Sequence, residues 1–191
     1  MPHANIKDQS FVYHLTSLEN LDGIFVEGLK PRASLSAFTD VADSEIIKKR
    51  KALALDHYVP FHWFAANPFD GRVQLNRPKS KFVLIAVHRS FAKSQDWKII
   101  PRHPLADEAV QLLDYHLGFE AIQWDLMSTR DYQNTHCKNV CMAECLSPNV
   151  VAPERFARIY APNDVVRELC EAKMRLVGLQ TPISVNPGMF L

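Results

Sequence analysis

Residues Lys81-Phe82-Val83-Leu84-Ile85-Ala86-Val87 form a continuous apolar run behind a single lysine. A run of this length without polar alternation reads as a central β-strand. Its backbone needs strand partners on both sides, and several stretches qualify. Phe11-Val12-Tyr13-His14-Leu15 has strand character. The aromatic stretch from Asp56 to Phe64 suits a strand entered by a turn. Trp97 to Ile100 and Phe156 to Tyr160 add two more. Ile183 to Phe190, broken by Pro187-Gly188, reads as an edge strand.

Helices are punctuated between these strands. Thr16-Ser17-Leu18-Glu19 reads as a capping box with Thr16 as N-cap. The helix behind it turns Leu18, Leu21, Ile24 and Phe25 to one face and stops at Gly28. Residues 32–43 have weak periodicity and read as a functional loop. Asp43 or Ser44 caps a helix from Glu45 to about Leu55. Asn67-Pro68-Phe69-Asp70-Gly71 has turn chemistry, and residues 72–80 read as polar and exposed. A helical turn is expected around Ser90 to Ala92. Pro104 opens a helix with Ala106, Val110, Leu113 and Leu117 inward and Gly118 at its end. Phe119 to Leu126 fits more than one state, and residues 128–138 read as a polar loop. Asn163 or Asp164 caps a helix from Val165 to about Leu176. Strands outnumber helices in this reading and do not alternate with them, which argues for an α+β fold.

The run Asn139-Val140-Cys141-Met142-Ala143-Glu144-Cys145-Leu146-Ser147-Pro148 also reads as a strand. Period-two alternation puts Glu144 in line with Val140, Met142 and Leu146. Taken alone, this is an edge-strand glutamate whose head reaches solvent, because an unpaired glutamate is rarely buried. His14 at its strand end, Thr16 and the amides of the following helix form a cluster able to hold sugar hydroxyls, an amide or a phosphate. Lys48-Lys49-Arg50-Lys51 is, on its own, a solvated helix face.

Composition limits the rest. A chain of 191 residues, 47% hydrophobic and 23% charged, fits one globular domain over residues 1–191. With 22 basic and 21 acidic residues the net charge is +1, so no global attraction to nucleic acid is expected, while local patches remain open. Met1 to Ser10 lacks an apolar leader and no membrane-spanning stretch is present, so a cytoplasmic setting is expected. A zinc site from Cys137, Cys141, Cys145 and His136 is disfavoured because an extended run holds Cys137 and Cys145 too far apart. Buried reduced thiols, Cys170 included, and no metal are expected. GxGxxG, P-loop, HExxH and GxSxG motifs are absent.

Several of these stretches carry a resemblance. Phe11-Val12-Tyr13-His14-Leu15-Thr16-Ser17-Leu18-Glu19-Asn20-Leu21-Asp22-Gly23-Ile24 resembles the opening of the DarT-type DNA ADP-ribosyltransferases, toxins of toxin–antitoxin pairs. Glu27-Gly28-Leu29 is similar to the Glu-x-Gly-Leu that follows there. Ile47-Lys48-Lys49-Arg50 resembles the helix carrying the family's catalytic arginine, although the family commonly has two adjacent arginines where this chain has Arg50-Lys51. Tyr58-Val59-Pro60-Phe61 resembles its Tyr-Val-Pro-Phe strand. Ala143-Glu144-Cys145-Leu146 with Pro148 resembles its late segment with the catalytic glutamate. These blocks keep the family's order over nearly the whole chain. After Pro-Phe, thymidine-modifying members read Tyr-Phe and then Arg-Ser-Pro. Here Phe61-His62-Trp63-Phe64 leads to Asn67-Pro68-Phe69, so guanine stands beside thymine as the acceptor base.

The resemblance implies a split β-sheet core of the ADP-ribosyltransferase type with surrounding helices, and NAD as a substrate. It implies Glu144 and Arg50 as catalytic residues, and His14, Thr16, Asn20 and Leu21 around NAD. Lys48, Lys49, Tyr58, His62 and Trp63 become contacts to single-stranded DNA. The partner implied is a macrodomain antitoxin that removes ADP-ribose, and the chain itself is expected to be monomeric. A related transferase acting on RNA or protein, or an inactive binding domain on the same fold, is the alternative.

Overall fold

The structure, a computed structural model, describes residues 5–35, 44–104 and 111–191. Seven strands form one sheet: β1 (Phe11–Ser17), β2 (Val59–His62), β3 (Phe82–His88), β4 (Lys98–Ile100), β5 (Glu144–Ser147), β6 (Arg158–Ala161) and β7 (Ile183–Val185). Their spatial order is β4-β5-β2-β1-β3-β6-β7. All neighbours are antiparallel except β6 and β7, which run parallel at the edge. The apolar run that becomes β3 is buried from Phe82 to Val87, and its two faces feed separate clusters. Val83, Ile85 and Val87 join the main core, while Phe82, Leu84 and Ala86 pack with Tyr13, Leu15, Val73 and Phe190.

The helices are α1 (Leu21–Glu27), α2 (Ser44–Ala52), α3 (Pro68–Asn76), α4 (Arg89–Ser94), α5 (Tyr115–Ala121), α6 (Trp124–Thr129), α7 (Thr135–Val140) and α8 (Asp164–Val177). Helices are thus at least as numerous as strands among the described residues, contrary to the count expected from sequence. The α+β class stands because the ladder is almost wholly antiparallel.

The sheet is split at its centre. β1 and β2 share a single register pair, Tyr13 with His62, whereas β1 and β3 pair over seven residues and β2 and β5 over four. Pro60 explains part of this. In an antiparallel strand the N–H and C=O of one residue face the same neighbour. The Pro60 carbonyl accepts a hydrogen bond from His14 on β1 at 2.8 Å. The missing proline N–H is therefore on the β1 side, where the ladder opens. A side chain of β1 bridges the gap that backbone bonds leave.

Several local expectations change. Ser17, not Thr16, caps the turn after β1: its hydroxyl accepts from the Glu19 N–H, and Leu18–Asn20 is a 3-10 turn before α1. Asn67-Pro68 starts α3 rather than a turn, with the Asn67 side chain accepting from the N–H groups of Phe69 and Asp70 and Pro68 in the first turn. The run before Glu144 is not extended. Asn134 caps α7, which contains Val140, and pairing with β2 starts only at Glu144. Gly118 lies inside α5, where a Cβ would come within 2.4 Å of Ile99 Cβ. Leu117 is 61% exposed instead of inward. Ala106, Val110 and Asp43 lie outside the described residues.

Expectations for Gly28, Asn163 and the cysteines hold. Gly28 ends α1 with φ +82°, Asn163 caps α8 through the Val166 N–H, and all four cysteines are free and buried. No group of side chains able to hold a metal ion occurs among the described residues. No described helix is long and apolar enough to cross a membrane.

Candidate active site

A cleft of about 570 Å³ opens where β1 and β2 part, within the size range of small-molecule sites. One wall comes from β1 and α1, and contributes His14, Thr16, Asn20, Gly23 and Ile24. The other comes from α2, β2 and α3, and contributes Ile47, Arg50, Tyr58, Pro60, His62 and Phe69. Met142, Glu144, His103 and Pro104 complete the lining. Residues 94 positions apart in sequence thus meet because β5 is inserted between β4 and β2.

Glu144 is 5% exposed and sits in the middle of a three-strand ladder, opposite His62 on β2 and Ile100 on β4. Residues directly opposite in a ladder share a face, so His62 and Glu144 point the same way. The carboxylate is paired: Arg50 Nη1 donates to Glu144 Oε1 at 2.6 Å and Oε2 at 2.7 Å. The other terminal nitrogen, Arg50 Nη2, is buried and has no hydrogen-bond partner among the described residues. Ile47 and Arg50 line the cleft from one side of α2, three residues apart on one helical face.

His14 is held on the opposite wall. A carbonyl only accepts, so the bond to Pro60 puts the proton on His14 Nδ1 and leaves Nε2 as an acceptor. Burial lowers the His14 pKa from its usual 6.5, with the Pro60 bond opposing in part, which favours this neutral ring. The Thr16 hydroxyl accepts from Asn20 Nδ2 at 3.3 Å. One sequence turn thereby carries an imidazole acceptor, a hydroxyl and an amide into the same wall.

His62 faces different conditions. Its Nδ1 is buried without a partner, and its ring lies 5.1 Å from the Phe69 ring at 30°. Burial pushes its pKa down to about 4. Glu144 and the Ala143 carbonyl oppose that shift, whereas Arg50 and His14 add to it. The ring is neutral at physiological pH.

Other expected contacts do not meet in the cleft. Trp63 is 1% exposed and belongs to the main core. Its indole meets Trp124 edge-on at 5.1 Å, and the Arg89 guanidinium lies 5.0 Å over its ring, so it has no face left for a base. Leu21 is fully buried in the same core. Both corrections have one cause: alternation along β2 and the apolar face of α1 turn these residues inward. Lys48 is exposed and outside the cleft lining, and the Lys49 side chain lies outside the described residues. Phe69, Met142 and His103 line the cleft without having been singled out. The Asn-Pro start of α3 is the signal that would have placed Phe69 on a helix.

Several solved structures share this architecture. Thermus sp. 2.9 DarT in complex with ADP-ribosylated ssDNA superposes with a TM-score of 0.82 at 13% identity, over 95% of this chain and 96% of that one. The same protein in complex with NAD+ gives 0.77 at 12% identity, over 96% and 98%. Thermosipho africanus DarTG in complex with ADP-ribose gives 0.75 at 22% identity, and this chain spans 51% of its length. These likenesses establish the ADP-ribosyltransferase fold. The sequence goes further, because the family model described as "DarT: ssDNA thymidine ADP-ribosyltransferase, DarT" matches residues 13–191. The chain belongs to the DarT family, and it is an enzyme of the single-stranded-DNA ADP-ribosyltransferase class. A comparison with curated proteins finds no match.

Proposed function

We propose that this chain transfers ADP-ribose from NAD to a base in single-stranded DNA. The observation carrying this reading is the Arg50–Glu144 pair, placed in the cleft that His14 and Thr16 line from the other side. In the reaction, the bond between ribose C1′ and the nicotinamide nitrogen breaks and its electron pair leaves with nicotinamide. Positive charge develops on the ribose. Glu144, hydrogen-bonded to the ribose 2′-hydroxyl, stabilises that charge, a contribution on the order of 3–4 kcal/mol where one preorganised partner has been removed elsewhere. A base nitrogen then closes on C1′ and its proton passes to solvent.

Arg50 holds the Glu144 carboxylate in place and offers Nη2 to the base or to developing negative charge on it. An arginine side chain does not release its proton in proteins, so charge stabilisation and positioning are its roles. His14 Nε2 accepts from the nicotinamide amide or a ribose hydroxyl, and Thr16 and Asn20 complete that wall. Tyr58 supplies surface beside the base. A base inside a duplex is out of reach of such a cleft, and a net charge of +1 gives no strong hold on duplex DNA.

Thymine is the first acceptor to test, since the matching family is described by thymidine. Guanine is the second, because this chain has His62-Trp63 where thymidine-modifying members resemble one another in Tyr-Phe. The resemblance also supports a toxin role, with a macrodomain antitoxin as the partner. Labelled NAD incubated with single-stranded DNA, duplex DNA, RNA and protein tests the acceptor. Label on single-stranded DNA alone supports the reading, and label on RNA or protein alone overturns it. Growth arrest on expression, relieved by a co-expressed macrodomain glycohydrolase, tests the toxin role.

A further inference from the structure

We infer that His62 reads the acceptor base through its ring edge and sets which base is modified. This rests on the proposed base-modifying function and deepens it.

Three features support the inference. First, the ladder partner of His62 is Glu144, so its side chain is fixed on the face that carries the reacting carboxylate. Secondly, one face of the imidazole is occupied by Phe69, which also lines the cleft. Hydrogen bonding to a base then falls to the nitrogens on the ring edge. Thirdly, His62 Nδ1 is buried with no hydrogen-bond partner among the described residues. A buried polar atom without a partner is unusual in folded proteins, and the same cleft wall holds a second one, Arg50 Nη2.

The geometry of displacement assigns the partner. Nicotinamide leaves from one side of the ribose and the acceptor nitrogen bonds from the other. His14 and Thr16, on the β1 wall, take the nicotinamide end. The acceptor must then enter along the wall formed by Arg50, His62 and Phe69. A neutral imidazole has one donor and one acceptor nitrogen. Thymine and guanine each present a ring N–H beside a carbonyl, so the unpartnered nitrogen of His62 finds a complement whether it donates or accepts. The two bases differ in size and in which neighbouring group flanks that N–H, and a fixed ring edge discriminates between them.

The test uses the full chain with His62→Phe and His62→Tyr. Phenylalanine keeps the packing on Phe69 and removes both nitrogens; tyrosine moves a hydroxyl further into the cleft. NAD affinity is measured by calorimetry. Base modification is measured by mass on single-stranded oligonucleotides offering thymine or guanine as the only modifiable base. We expect His62→Phe to bind NAD within about threefold of wild type and to modify its base about tenfold more slowly or worse. His62→Tyr changes the thymine-to-guanine ratio. Unchanged rate and unchanged ratio in both variants overturn the inference. So does a loss of NAD affinity that accounts for the loss of modification, which assigns the contact to the donor. A wild-type chain that binds NAD and modifies neither base overturns the base-modifying reading itself, and this inference with it.

Discussion

Arg50 Nη1 lies 2.6 and 2.7 Å from the two carboxylate oxygens of Glu144, joining α2 to β5 across the cleft. One nitrogen serves both oxygens, which leaves Nη2 buried and unpartnered. An arginine that only neutralised the carboxylate would gain by a two-nitrogen fork. The one-nitrogen arrangement keeps a donor in reserve for a ligand.

Arg50→Lys tests that reserve. A lysine ammonium retains the charge but lacks the planar second donor. The proposed transfer slows by about 100-fold, a magnitude in keeping with the loss of one preorganised donor. The effect falls mainly on kcat. Steady-state kinetics with single-stranded DNA check it; an unaltered kcat removes Arg50 Nη2 from the account.

Arg89 is the corresponding device for stability. Its guanidinium donates to the carbonyls of Phe11, Ile6, Lys7 and Trp63 and lies against the rings of Trp63 and Trp124. Arg89→Met leaves several buried carbonyls unpaired at roughly 1 kcal/mol or more each, so a loss of about 3 kcal/mol is expected. Urea denaturation measures it. The indole of Trp63 is held by the same cluster, which is why it packs the core and does not stack on DNA.

Gly118→Ala is expected to destabilise by about 1–3 kcal/mol. The added Cβ meets the Cβ of Ile99 at 2.4 Å and its Cγ2 at 2.8 Å, and Ile99 is fixed on β4 between α5 and the core. Thermal unfolding checks this. A wild-type melting temperature would show that α5 shifts freely over β4.

Stability carries a pH signature from buried groups. Burial raises the Asp70 pKa from 3.8 to about 8, with Asn67 and Ala66 opposing in part. As pH rises between these values the unfolded chain loses this proton and the folded chain keeps it, so stability falls. His62, lowered from 6.5 to about 4, acts in the other direction. Its contribution is present above pH 6.5 and is lost as pH falls towards 4. His14, whose pKa burial also lowers, adds to the His62 slope; both oppose Asp70 below pH 6.5, so Asp70 shows alone between pH 6.5 and 8. Wild type is expected to lose stability across that window and Asp70→Asn to stay level. Parallel slopes in denaturant titrations contradict this origin.

The sequence made the sheet legible wherever a residue pattern had one solution. The Phe82–Val87 run could only be a buried strand, and Gly28 and Asn163 marked helix ends by their own chemistry. The stretch before Glu144 was misleading because Val140, Met142 and Leu146 satisfy a period of two by coincidence. Asn134 decides the matter by capping α7, a local bond that outranks the apolar pattern. Within the candidate site, His14, Arg50 and Glu144, and their meeting around one cleft, were legible through motif order. How the chain brings them together was not, since it depends on β5 entering between β4 and β2 and on Pro60 opening the ladder beside β1. Trp63 shows the reverse limit: an aromatic residue beside a motif gives no sign of which face of the strand it takes.

The most direct test of the account is Glu144→Gln beside wild type, each incubated with NAD and single-stranded oligonucleotides of defined base content and read by intact mass. Glutamine keeps the shape and loses the charge proposed to face the ribose. The account predicts that wild type adds ADP-ribose to oligonucleotides containing one kind of base, and that Glu144→Gln still binds NAD but adds it about 100-fold more slowly or worse. Equal rates for the two proteins would contradict it.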